Sequence, residues 1–97
     1  MLTSKQRAQL RSMANTIETI VQVGKSGITE TLIAQVDDAL RARELIKGRV
    51  LENSLLSPRE ACSALCEEVG AEPVQVIGTR FVLYRENPDD KKIFITK

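Results

Sequence analysis

Apolar positions along this 97-residue chain repeat with two periods, and the period switches from segment to segment. Leu10, Met13, Ala14 and Ile17 approximate one face of a helix that Thr3 or Ser4 can cap and that runs to about Ala14. The β-branched stretch at 18–23 reads as a strand. Helical spacing returns at Ile28, Leu32, Ile33, Val36, Ala39 and Leu40, with Thr29 as N-cap and Ile28 and Ile33 in the two staple positions. That helix should end near Arg43. Residues 45–51 form a second strand, with Ile46, Gly48 and Val50 on one face and Leu45, Lys47, Arg49 and Leu51 on the other. Ser57, Pro58 and Glu60 spell a capped helix start, Ala61, Cys62, Leu65, Cys66 and Val69 its apolar stripe, and Gly70 its stop. Strands at 74–77 and 80–85 flank Gly78-Thr79, which suits a two-residue type II′ hairpin.

The element order is α-β-α-β-α-β-β. Strand–helix–strand units favour parallel neighbours, and the final hairpin adds an antiparallel pair. The expected fold is α/β of the α+β two-layer type: a four-stranded mixed sheet packed against helices. One domain spans 1–97, with a core at 1–86 and a tail or short edge segment at 87–97.

Composition narrows the function. Aromatics are scarce (Phe81, Tyr84 and Phe94), so the core must be aliphatic. No apolar run approaches the roughly 20 residues of a membrane span, and no secretory signal is visible, so the expected compartment is the cytoplasm, with no membrane partner. The two cysteines, four apart on one helix face, read as small packing residues; with no histidine in the chain they cannot complete a zinc site. A net charge of +1 hides a blockwise distribution. Lys5, Arg7, Arg11 and Lys25 face one carboxylate in 1–27, and Arg41, Arg43, Lys47 and Arg49 face one in 41–51. The segments at 28–40 and 52–72 are acidic. Such blocks can give a molecule one basic face.

The chemistry concentrates in Gly24-Lys25-Ser26-Gly27, a G-x-x-G turn between a strand and a helix. Such a turn brings bare backbone amides to a helix N-terminus, where phosphate can be held. A Walker A loop would need a glycine five positions before Gly24; Thr19 stands there, inside strand-like sequence. Without histidine the commonest general base is absent, and no nucleophile motif appears, so no enzyme and no cofactor or small-molecule substrate is expected. Nucleic-acid binding remains: amides of the turn on phosphate, Lys25 as a mobile charge, Ser26 within the turn, and flanking cations setting orientation.

Several stretches together resemble the YhbY family, the bacterial single-domain form of the CRM RNA-binding domain. They are Leu2-Thr3-Ser4-Lys5-Gln6, then Gln22-Val23-Gly24-Lys25-Ser26-Gly27-Ile28-Thr29-Glu30, Ala42-Arg43-Glu44-Leu45-Ile46-Lys47, Gln75-Val76-Ile77-Gly78 and Val82-Leu83-Tyr84-Arg85. The resemblance implies a domain similar to the C-terminal domain of bacterial translation initiation factor three. It also implies RNA binding through the 24–27 turn and association with precursors of the large ribosomal subunit. Lys47 matches a recurrent family lysine. Gly48 departs from a usual β-branched residue, which invites a bulge in that strand, and Thr19 replaces a common proline.

The expected function is therefore a non-catalytic, monomeric RNA-binding protein of ribosome assembly. Its candidate contacts are Gly24, Lys25, Ser26, Gly27, Lys47, Arg49, Arg41, Arg43, Lys5, Arg7 and Arg11. The alternative is a protein-interaction module that reaches the ribosome through a protein partner.

Overall fold

The computed structural model describes residues 2–94. Three helices and four strands follow the expected order: α1 (Ser4–Ala14), β1 (Thr19–Val23), α2 (Glu30–Arg43), β2 (Leu45–Val50), α3 (Pro58–Val69), β3 (Glu72–Ile77) and β4 (Arg80–Tyr84). Local chemistry explains most boundaries. Thr3 caps α1 in a reciprocal box with Gln6, and Ser57 does the same for α3 with Glu60. The Thr29 side chain accepts from the Leu32 N–H at 3.1 Å to start α2.

The sheet is open and mixed, in the order β1-β2-β4-β3, with β1 parallel to β2 and the other neighbours antiparallel. Alternation along the strands splits the core in two. Val21, Val23, Ile46, Val50, Phe81 and Leu83 face α2 and α3. Leu45, Val74, Val82 and Tyr84 face the opposite way and pack under Leu10 and Ala14 of α1. The first helix thus adds a partial further layer, because among the described residues its stripe is the helical surface left to cover the second sheet face.

Gly48 does not bulge β2, which pairs with β4 without a register shift. A Cβ on Gly48 would lie 2.3 Å from the Phe81 ring, so the glycine makes room for the largest core side chain on the neighbouring strand. The irregularity lies instead on β1, where Thr19 pairs with Lys47 but Val21 with Gly48.

After Tyr84 no further strand forms among the described residues. Ile93 enters the second core and is buried beside Leu45 and Tyr84. Residues 95–97, the remainder of the expected edge segment, lie outside the described residues.

Candidate nucleic-acid interface

The parallel pairing of β1 and β2 brings their C-terminal ends, and the turn between β3 and β4, to one end of the sheet. Leu51 N–H bonds to Val23 C=O and Val50 N–H to Thr79 C=O, each at 2.8 Å. The 24–27 turn, the 51–57 loop and the 78–79 hairpin turn therefore stand side by side; this is the turn end.

Within the 24–27 turn, Gly27 N–H bonds back to Gly24 C=O at 3.0 Å. Gly27 has φ +70, which a side chain would strain. Gly24 needs no such freedom. A Cβ there would make only ordinary contacts, 3.5 Å to Leu51 Cδ1 and 3.7 Å to Asn53 Oδ1. The fold tolerates a side chain at 24, so its bareness suits something approaching from outside. The amides of Lys25 and Ser26, at the exposed tip, engage no hydrogen bond among the described residues. The start of α2 is less available than the sequence suggested: Thr29 already caps it, and Glu30 places a carboxylate in its first turn. The anion-holding donors are therefore those of the turn itself. A shallow cleft of about 300 Å³ runs along it, lined by Gln22, Lys25, Thr31 and Gln35 among others.

Arg49 sits one pair below this end, opposite Gln22 on β1 and opposite Arg80 on β4. Directly opposed like charges destabilise a sheet. Neither arginine has an ion-pair or hydrogen-bond partner among the described residues, and Arg49 Nε is buried without an acceptor. An unmet buried donor costs roughly 1–3 kcal/mol. Lys47 lies two residues back on the same face, opposite Val82. It is half-buried and also unpaired among the described residues.

This sheet face is only half covered. Leu2, just before α1, and Gln6 of α1 line one cleft with Tyr84, and Met13 lines another with Leu45 and Ile93, so α1 crosses the far half. Gln9 donates to Phe94 C=O at 3.1 Å, placing the tail at residue 94 along that flank of the helix. At about 100° per residue, Arg7 and Arg11 lie on the opposite flank, toward the open half with Lys47, Arg49 and Arg80. Lys5 is an i,i+4 neighbour of Gln9 and falls on the tail's side.

Arg41 and Arg43 are separated from the turn by the length of α2. Arg41 is bound by Asp37 at 2.6 Å and Asp38 at 3.2 Å. Arg43 lines an apolar cleft of about 300 Å³ with Met13, Ile17 and Ile93. The fold thus gathers Gly24, Lys25, Ser26, Gly27, Lys47, Arg49, Arg7 and Arg11, and sets Arg41, Arg43 and Lys5 apart. Sequence reasoning missed Arg80. Its only local signal was the position after a two-residue turn, which fixes Ile77 as its partner but not Arg49.

The far end of the sheet is built in the opposite manner. Arg85 donates to Asp37 Oδ1 at 2.6 Å and to Val69 C=O at 2.9 Å, tying β4 to α2 and α3. That hydrogen bond, with Arg41 alongside, holds the Asp37 carboxyl below its ordinary value despite partial burial. Glu44 ends α2 at φ 64 and is fully buried. Its carboxylate accepts the backbone N–H groups of Asn87, Lys92 and Ile93 at 2.7, 2.6 and 2.7 Å. Burial alone would push this carboxyl up; the three amides, helped by Lys91, outweigh it and hold the group below the usual glutamate value.

An open mixed sheet with α2 and α3 on one face, α1 across half of the other and an exposed G-x-x-G turn defines a small α+β module. The profile of the CRS1/YhbY (CRM) domain matches residues 2–85, and the chain belongs to that family. It is 43% identical over 93 residues to the Bacillus subtilis protein named "Probable RNA-binding protein YqeI", covering 96% of this chain and 97% of that one. It is 33% identical over 90 residues to a Haemophilus influenzae protein named "RNA-binding protein", covering 93% and 91%. The solution structure of a hypothetical protein from Staphylococcus aureus superposes with a TM-score of 0.82 at 47% identity, covering 99% of this chain and all of that one.

Proposed function

We propose that this protein is a non-catalytic RNA-binding protein that acts in the cytoplasm on ribosomal RNA in precursors of the large ribosomal subunit. The observation that carries the RNA-binding reading is the opposed, unpartnered Arg49–Arg80 pair beside the 24–27 turn. Such a pair is costly in the free chain and is relieved by phosphate. Amides of Lys25 and Ser26 and the Lys25 ammonium hold one stretch of backbone. Lys47, Arg49, Arg80, Arg7 and Arg11 hold the next. The ribosomal destination rests on family membership.

Titration of wild type and Lys25→Glu with precursor ribosomal RNA at several salt concentrations tests the reading. Wild-type affinity should fall with salt at a log–log slope near −0.7 per contacted phosphate of a single strand. Lys25→Glu should bind more weakly with a shallower slope. Equal affinities, or no salt dependence, would overturn it. Co-sedimentation with large-subunit precursors should be lost after nuclease digestion; retention would point to a protein partner instead.

A further inference from the structure

The turn end carries a second cleft, which shares only Arg49 with the phosphate contacts. It lies between the 51–57 loop and the hairpin turn, on the far side of Leu51 and Asn53 from the 24–27 turn, and encloses about 470 Å³. That is within the usual size of small-ligand sites, about 300–1,000 Å³. Leu51, Leu56 and Pro58 supply apolar wall, while Arg49, Glu52 and Thr79 supply polar lining. Near its lining residues along the chain are two of the most exposed large apolar side chains of the described residues, Leu55 at 89% and Ile77 at 62%. Leu55 falls between Ser54 and Leu56, which both line the cleft. Ile77 closes the hairpin next to Thr79.

We propose that this cleft receives one unpaired nucleotide of the bound RNA. The inference rests on the RNA-binding reading and adds a class of target to it. A surface meant only for phosphates would exclude carboxylates and have no use for exposed leucine and isoleucine. Glu52 has no partner among the described residues, and its carboxylate repels phosphate. It can accept from the N–H groups on a base edge, which a phosphate does not offer. The apolar walls fit the flat faces of a base, and Arg49 is placed to hold its phosphate. Phe81 and Tyr84 are buried and Phe94 lies with the tail, so aliphatic side chains take the part that aromatic platforms play elsewhere. A base can reach the cleft only when it is unstacked and unpaired, because a duplex hides both its faces and its pairing edge.

The test uses the full chain with two RNA duplexes, one fully paired and one with a single bulged 2-aminopurine. Wild type should bind the bulged duplex about tenfold more tightly and change the probe's emission. Leu55→Ser and Glu52→Ala should each remove most of that preference; Leu55→Ser should leave affinity for the paired duplex unaltered, and Glu52→Ala, which removes a carboxylate that repels phosphate, should not weaken it. Equal binding of both RNAs without an emission change would overturn the cleft and leave RNA binding standing. Failure to bind either duplex would overturn the cleft, and failure to bind the bulged strand alone as well would overturn both. Full discrimination in both variants would also overturn the cleft as the reading site.

Discussion

The two ends of the sheet handle charge in opposite ways. At the tail end, Arg41, Arg85, Lys91 and Lys92 each meet a carboxylate, and buried Glu44 meets three amides. At the turn end, Lys25, Arg49 and Arg80 meet no partner among the described residues, and two arginines are held opposite each other. The paired charges do structural work: Asp37 and Arg85 join α2, α3 and β4, and Glu44 docks the terminal segment so that Ile93 can enter the core. The unpaired charges contribute nothing to the fold that the contacts reveal, and their proximity opposes it. A charge without an internal partner is a better guide to function than the number of charges, since +1 overall conceals this division. The tail end is not perfectly satisfied: Tyr84 Oη is buried without a partner, and burial, with Glu44 and Glu86 nearby, pushes its phenol up.

The strongest attempt to break this contrast is Glu44→Ala. Three backbone N–H groups would lose their acceptor, which should cost about 3 kcal/mol of stability in urea denaturation. RNA affinity, measured where the variant is still folded, should be unchanged. An equal loss of RNA binding by the folded variant would show that the two ends are not separable.

Acid should act on the same end, to a smaller extent. Glu44 and Asp37 both ionise below their ordinary values of 4.5 and 3.8 in the folded chain. The unfolded chain therefore takes up protons first as pH falls. The stabilisation is complete above the ordinary values and is lost as pH drops through the lower, folded ones. Urea midpoints followed from neutral to acid pH should show this decline. Glu44→Gln and Asp37→Asn should flatten it, whereas Arg49→Ala should leave its steepness intact.

The smallest effect is expected from Arg41→Ala. Its ion pairs with Asp37 and Asp38 should each contribute less than about 1 kcal/mol, and their removal should leave RNA affinity unaltered. Weakening comparable to that of Lys25→Glu would move the interface toward the tail end and dissolve the contrast.

Much of the fold was legible because its signals are local. Thr29 to Leu32, Ser57 to Glu60 and Gly78 to the hairpin all act within four residues, and the alternation at 45–50 assigned each side chain to a sheet face. The site was legible only in part. The 24–27 turn and Lys25 stand out along the chain, but Arg41 and Arg49 look alike in sequence and end in opposite settings. Arg80 gave no warning. Glu44 stood out in sequence only as the one carboxylate among the cations of 41–51.

What the sequence by itself determined was the identity and order of the elements, the caps that bound them and the exposed glycine turn. Each depends on backbone dihedrals and hydrogen bonds between near neighbours. Only the tertiary structure decided which charges are neutralised. The partners of Glu44 lie 43 to 49 positions away. Arg49 and Arg80 become neighbours only through the β2–β4 register. Charge pairing depends on distance in space, and that distance is fixed by strand register and helix placement rather than by spacing along the chain.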